Sequence, residues 1–297
     1  MERTRLTIFI TGGAGFVGTN LAIRYRNAGH KVVSYDNYST GKKEREQEGV
    51  TYLNADIVDK DSLDRVLSTL RPDVIFHMAA LARITPSFER PLDYFQTNAN
   101  GTLNVVSWAA SNKIPVIYAG SSSHHSGKFK NPYTFSKDAG EEIVELYQLH
   151  YKLEATIARF YNVYGQFHSK SGAYCTLLGN WENRLEKGEA PVLYGDGSKR
   201  RDFTHIDDIV DALVAIQEKE CYGHTFELGR GDNYSVLEIA EMYDIVDRLV
   251  YKEDKPGEAQ ITLCDSNDAQ LWLDWIPTRN VEDYIKKYVK ENYDISS

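Results

Sequence analysis

The chain has 297 residues, of which 42% are hydrophobic and 26% charged, and it carries a formal net charge of −9. That length holds two domains and a substantial core, and the composition excludes a disordered or fibrous chain. The acidic balance argues against non-specific nucleic-acid binding, which needs a cationic surface to neutralise phosphates.

The first strand expected is LTIFI (6–10), and it runs directly into TGGAGFVG and a helix starting near Phe16. In that loop Gly12, Gly15 and Gly18 form G-x-x-G-x-x-G after a strand and at a helix start, the context that makes a glycine-rich turn a dinucleotide signal. Gly12 permits the tight turn, Gly15 lets a pyrophosphate approach the backbone N–H groups, and Gly18 allows helix and strand to touch. The second strand, 31–35, ends at Asp36, about twenty residues on. A carboxylate there accepts hydrogen bonds from an adenosine ribose and repels an extra phosphate, so NAD is expected over NADP; Asp36 also reads as a turn residue in DNYSTG. Further strands at 50–54, 73–77, 115–119 and 155–159 alternate with amphipathic segments near 60–70, 92–112 and 133–151. This rhythm implies a doubly wound parallel sheet with helices on both faces, a Rossmann α/β fold.

Past about residue 165 the rhythm breaks down. A loop, a helix at TLLGNWENRLEKG, a strand and turn at VLYGDGSKRRDF, a helix over 206–219 and a strand at HTFELG lead into a Tyr-rich region. The expected organisation is an NAD-binding domain over 1–165, with parts of about 201–230 returning to it, and a smaller α/β substrate lobe over 166–297.

Tyr133 and Lys137 lie four apart at the start of a predicted helix and share a face. A lysine ammonium beside a tyrosine favours the phenolate, lowering its pKa so that it can take a proton from a sugar hydroxyl. Ser121, Ser122 and Ser123 follow the fifth strand at the carboxyl edge of the sheet, where ligands bind in such folds.

TGGAGFVG, YDNYSTG, NADIVD, HMAALA, TNANGTLNVV, SSS, YTFSK, RFYNVYG, YGDGSKRRDFTHIDDIVDA and FELGRG together resemble the extended short-chain dehydrogenase/reductases, in their NAD-dependent nucleotide-sugar epimerase/dehydratase branch. The resemblance spans nearly the whole chain. It implies cofactor contacts at Gly12, Gly15, Phe16, Val17, Asp36, Asn37, Ser39, Thr40, Asp56, Ile57, Ala79, Ala80, Asn98 and Tyr161, with Tyr133 and Lys137 serving both cofactor and chemistry. Ser122, counted back from Gly127, matches the catalytic Ser/Thr. Asn162 and Arg201 match diphosphate contacts, Lys255 falls where an arginine is usual, and Tyr194 falls near the nucleobase site. A lysine there keeps the charge and loses the bidentate fork. The stretch from Ser122 to Tyr133 is also shorter than in typical epimerases, and Ser126 stands where the family has a tyrosine.

Dehydratases of the branch carry Asp-Glu directly after the catalytic Ser/Thr, and this chain has Ser123 and His124 there. The reaction implied is therefore inversion at C4 of a UDP-hexose, UDP-glucose or UDP-N-acetylglucosamine to the galacto form. Thr262 falls near a family position whose bulk limits N-acetyl sugars, and the resemblance implies that a small residue there tolerates an acetamido group. Alternatives are another epimerase or 4-keto-sugar reductase acting on a GDP- or dTDP-sugar, and, from another class, a non-catalytic dinucleotide sensor.

His124 and His125 point apart as neighbours and have no carboxylate or cysteine at ligand spacing, so no metal is expected; His124 or His125 is read as lining the sugar pocket, His124 being the residue chosen. Asp207 and Asp208 are read as capping the helix that follows, and Tyr243, Tyr251, Trp272 and Trp275 as core. Helices 92–112 and 133–151 are those through which the family pairs, so a homodimer is expected. Cys175, Cys221 and Cys264 give no disulfide or zinc framework and fit reduced thiols. The apolar runs are too short for a bilayer, and MERTRLTIFITGG shows no apolar signal core. A cytoplasmic protein without membrane contact is expected.

Overall fold

A computed structural model describes residues 5–293; the outermost parts of the two expected domains, 1–4 and 294–297, lie outside the described residues. The order in the first half is β1 (Thr7–Thr11), α1 (Phe16–Asn27), β2 (Lys31–Asp36), β3 (Val50–Asn54), α2 (Lys60–Leu70), β4 (Val74–His77), α3 (Ile84–Glu89), α4 (Pro91–Phe95), α5 (Thr102–Asn112), β5 (Val116–Ser121), α6 (Pro132–Tyr151) and β6 (Ala155–Phe160). The second half contains α7 (Leu177–Glu186), β7 (Val192–Tyr194), β8 (Arg200–Arg201), α8 (Ile206–Glu218), β9 (Thr225–Leu228), β10 (Tyr234–Ser235), α9 (Val236–Met242), β11 (Val250–Lys252), α10 (Asn267–Leu273) and α11 (Val281–Tyr293).

Seven parallel strands form one sheet in the order β3-β2-β1-β4-β5-β6-β9. Its central strands read as unbroken apolar runs because both faces are covered. On one face Leu21 of α1 and Ile209 and Leu213 of α8 pack with Ile8, Ile10 and Phe226. On the other, Leu63 of α2, Val105 of α5 and Val144 of α6 pack with Phe9, Ile75 and Ile157. The chain leaves β1 toward β2 and β3, then returns to β4 on the other side of β1, which opens a crevice at the carboxyl ends of β1 and β4. Residue 225–228 pairing draws the second half back to the sheet edge at β6. A separate cluster built on Trp181, Ile239, Tyr243 and Ile285 forms the core of the lobe beside it.

The structure departs from the sequence reading in several places. The single helix expected over 92–112 is two, joined by a π-helical stretch over Gln96–Gly101. There the Asn98 side chain is bonded to the backbone of Leu81, with its N–H at 2.8 Å and its carbonyl at 3.0 Å. Inserting such a locked residue widens the turn. Tyr243 and Trp275 are core, whereas Tyr251 and Trp272 are 55% and 50% exposed. The cap of α8 is His205, whose Nδ1 accepts the Asp207 N–H at 3.1 Å. Asp208 instead accepts from the backbone of Arg279 and from its guanidinium, tying the end of the lobe to α8.

Candidate active site

The glycine-rich loop carries β1 into α1 at the crevice. Gly12 has φ of +70°, a conformation that glycine adopts without steric cost. A Cβ on Gly18 would strike the Gly12 carbonyl and lie 2.7 Å from Gly13 Cα, so the helix can seat this close only with glycine there. Helix α1 starts without a side-chain cap and without an acid in its first turn, so its leading N–H groups and the positive end of its dipole face the crevice uncompensated. Helices α6, α7, α8 and α9 are each closed by a side chain, from Asn131, Thr176, His205 and Ser235. An open N-terminus of this kind fits a pyrophosphate.

Asp36 ends β2 at the same crevice. Its carboxylate accepts the Ala14 N–H at 3.0 Å and the Tyr38 N–H at 2.8 Å. Asp36 thus shapes the turn and borders the cleft. Burial pushes its carboxyl up from the ordinary value, against the two N–H groups and Arg45.

The cleft that begins at the glycine loop is bordered by every expected cofactor residue except Asn98 and Tyr161. Asn98 is buried behind it, and besides Leu81 its amide donates to Ser136 of α6 at 2.9 Å. Tyr161 is buried too, and its hydroxyl donates to Glu227 at 2.8 Å. The cleft also takes Arg45, Arg83, Tyr174 and Thr176, which the sequence reading did not single out.

Tyr133 and Lys137 reach this cleft from the first turns of α6. Asn131 caps the helix by accepting the Thr134 N–H at 2.7 Å, and Pro132 follows it with its φ preset for the helix. The Asn131 amide also donates to the Gly257 carbonyl at 3.1 Å, tying the start of α6 to a loop of the lobe. The Tyr133 hydroxyl donates to Ser121 Oγ at 3.1 Å. Its serine contact is therefore Ser121, the last residue of β5, rather than Ser122, which opens a short 3₁₀ turn.

Lys137 is turned elsewhere. Its Nζ donates to the Tyr118 hydroxyl at 2.8 Å and to the Ala119 carbonyl at 2.6 Å. The expected lowering of the Tyr133 pKa by Lys137 is accordingly not what the geometry delivers. Burial raises Tyr133 above the ordinary phenol value, and the groups opposing it are the Ser121 hydrogen bond and the Arg83 cation. Burial pushes Lys137 down to about 8, against Glu141 and Asp138.

The histidines after the serine cluster do not border the cleft. His124 Nδ1 lies 3.0 Å from Asp138, and His125 Nε2 lies 2.9 Å from Glu227. These carboxylates come from α6 and β9, 14 and 102 residues along the chain. His124, Asp138 and Glu141 bring ligand-type atoms within 4.8 Å of one another, a convergence that local spacing did not reveal. Arg159 occupies that group, pairing with Glu141 at 2.7 Å and with Glu227 at 2.9 Å.

Toward the lobe, Asn162 donates to the Asp202 carbonyl and to Thr262 Oγ1, both at 3.0 Å. Asp202 is fully buried and accepts the N–H groups of Arg230, Gly231 and Cys264, which fixes the strand carrying Arg201. Arg201 pairs with Glu258 at 3.2 Å, and Lys255 Nζ sits 3.8 Å from the centre of the Tyr194 ring. These residues lie beyond those bordering the cleft at the glycine loop.

The family model described as the NAD dependent epimerase/dehydratase family matches residues 8–229. A putative UDP-glucose 4-epimerase of Methanocaldococcus jannaschii is 29% identical over 304 residues, covering 95% of this chain and 97% of the relative. A UDP-N-acetyl-alpha-D-glucosaminuronate decarboxylase of Bacillus cytotoxicus is 29% identical over 252 residues, covering 78% of this chain and 77% of that one. The crystal structure of a UDP-glucose 4-epimerase with UDP-glucose from Thermotoga maritima superposes with a TM-score of 0.90 at 26% identity, covering 96% of this chain and 99% of that one. Its relatives thus span more than one reaction on nucleotide sugars.

Proposed function

The chain belongs to the NAD dependent epimerase/dehydratase family, and from that premise we propose that it inverts C4 of a nucleotide-diphosphate hexose, UDP-linked in the first instance. The observation that carries this reading is that Tyr133 and Lys137 border the same cleft as the glycine loop and Asp36. When bound there, NAD supplies an acceptor for hydride from C4 and a donor for its return.

Tyr133 takes the C4 hydroxyl proton as the carbon is oxidised and gives a proton back to the ketone oxygen after the sugar has turned over. Ser121 orients the phenol, and Ser122 is assigned the hydrogen bond to the reacting oxygen. Lys137, braced on Tyr118 and Ala119, holds this wall of the cleft. Arg201, Lys255 and Asn162 are assigned to the diphosphate, and Tyr194 to the base; support comes from the Lys255–Tyr194 contact and from the buried Asp202 that fixes Arg201. Ser123 and His124 stand where the family's dehydratases have Asp-Glu, which disfavours water elimination.

We read α5 and α6 as a dimer face, since Leu103, Leu146 and Leu149 are 39%, 49% and 76% exposed on them. Among the described residues no helix is long and apolar enough to cross a membrane. The three thiols are free, which fits a reducing compartment such as the cytoplasm. The test is to incubate the purified protein with NAD and with UDP-glucose, UDP-N-acetylglucosamine or UDP-glucuronate, and follow products by proton NMR. The galacto epimer without net NADH is expected; unchanged substrates, or NADH accumulating with product, would refute the reading.

A further inference from the structure

Resting on the reading that a nucleotide-linked sugar is oxidised at Tyr133, we propose that the sugar is a uronic acid whose carboxylate is held by Arg83. Arg83 borders the cleft together with Tyr133. It caps the start of α3 with φ of +106°, a conformation rarely adopted by L residues with side chains. Such a residue persists only where its surroundings impose it, and it points to a functional demand. Here the buried Tyr94 imposes it, its hydroxyl donating to the Arg83 carbonyl at 2.9 Å. From the other side, Arg83 Nε donates to the Tyr174 carbonyl at 3.2 Å, which fixes the plane of the guanidinium.

That leaves the charge without a carboxylate partner among the described residues. Glu258, the acid that acts on it, is paired with Arg201 instead. Burial lowers the Arg83 pKa, so the cation is held at a desolvation cost that an anion in the cleft would offset. Two other anions have their own places. The cofactor pyrophosphate belongs at the open end of α1, and the substrate diphosphate belongs toward Arg201 and Lys255. Arg83 sits instead on the Tyr133 side, where the C4 oxygen must lie. On a hexopyranose, C4 is joined to C5, and C5 carries C6. An acid at that position is a C6 carboxylate, whose two oxygens match the planar guanidinium fork.

The same contact bears on the outcome. Oxidation at C4 creates a carbonyl β to the carboxylate, which permits loss of CO2 as the C5–C6 bond breaks and its electron pair passes into an enolate. A guanidinium that holds the carboxylate charge stabilises the ground state against that loss, so the six-carbon skeleton is retained and C4 is inverted.

The test is calorimetry on the NAD-loaded protein with UDP-glucuronate and with UDP-glucose, for the wild type, Arg83→Gln and Arg83→Lys. The wild type should bind the uronate more tightly by about tenfold or more. Arg83→Gln should erase that preference, Arg83→Lys should keep part of it, and NAD released on denaturation should be equal in all three. Equal affinities in the wild type, or a preference surviving in Arg83→Gln, would overturn the assignment. Loss of NAD from Arg83→Gln with the preference intact would place the arginine on the cofactor and overturn it as well. A pentose product from UDP-glucuronate, read by mass, would overturn retention of the carboxylate. Because affinity is read without turnover, a wild type that prefers the uronate and converts nothing counts against the epimerase reading alone.

Discussion

Helices α1 and α6 begin at the rim of the same cleft, and their N-termini are finished in opposite ways. The first has no capping side chain and no acid, so its N–H groups remain available. The second is sealed by Asn131 and Pro132 and is fastened to a loop of the lobe through Gly257. An end that has to receive an anion gains from staying open. An end that has to hold a phenol in register gains from being closed, because fraying of the first turn would move Tyr133 before any other residue of the helix. One cleft therefore combines a binding end and a positioning end.

The contrast is broken most severely at the phenol. Tyr133→Phe should lower turnover by about 10³-fold, within the range expected for losing a general acid–base group, while NAD released from denatured protein stays equal to wild type. Next comes conversion of the open end into a closed one. Gly15 has an extended backbone that other residues can adopt. Gly15→Asp should repel pyrophosphate, weakening NAD by about tenfold or more. Because its Cβ would lie 3.0 Å from the Gly12 carbonyl oxygen, the melting temperature of the NAD-free protein should fall slightly as well. Opening the closed end is milder. Asn131→Ala should cost about 1 kcal/mol as a lost cap and about 1 kcal/mol more as a lost hydrogen bond to Gly257, read by urea denaturation, with kcat reduced and NAD content unchanged.

The smallest effect is a slope with pH. The folded state holds Lys137 at about 8 against 10.5 for an ordinary lysine. Between those values the unfolded chain binds the proton and the folded chain does not, so this group makes stability rise with pH. Its burial penalty is full below about pH 8 and has faded by 10.5. Subtracting the pH profile of Lys137→Met from that of wild type should leave a positive slope over that window; a flat or falling difference would contradict the assignment.

These two ends were not equally legible in the sequence. The glycine loop is a local device, three glycines between a strand and a helix, and the β1–α1 turn forms where the pattern put it. Tyr133 and Lys137 share a helix face by spacing alone. Their partners do not follow from spacing: Lys137 turns to Tyr118, and the phenol meets Ser121 because β5 extends to that residue. The π-helical stretch over Gln96–Gly101 depends on Asn98 locking the backbone of Leu81, a long-range bond with no signature in TNANG. The carboxylate beside His124 was hidden for the same reason, since Asp138 belongs to α6. Arg83 carried no signal inside HMAALARIT. Its importance comes from a strained φ and from Tyr174, 91 residues away.

The central claim is that hydrogen leaves C4 as hydride and returns from within the cleft, with Tyr133 handling only the proton. The most direct measurement is epimerisation in D2O, with the product examined by NMR and mass. The account predicts hydrogen, not deuterium, at the inverted carbon. Deuterium at that carbon would show exchange with solvent through a carbanion and contradict it.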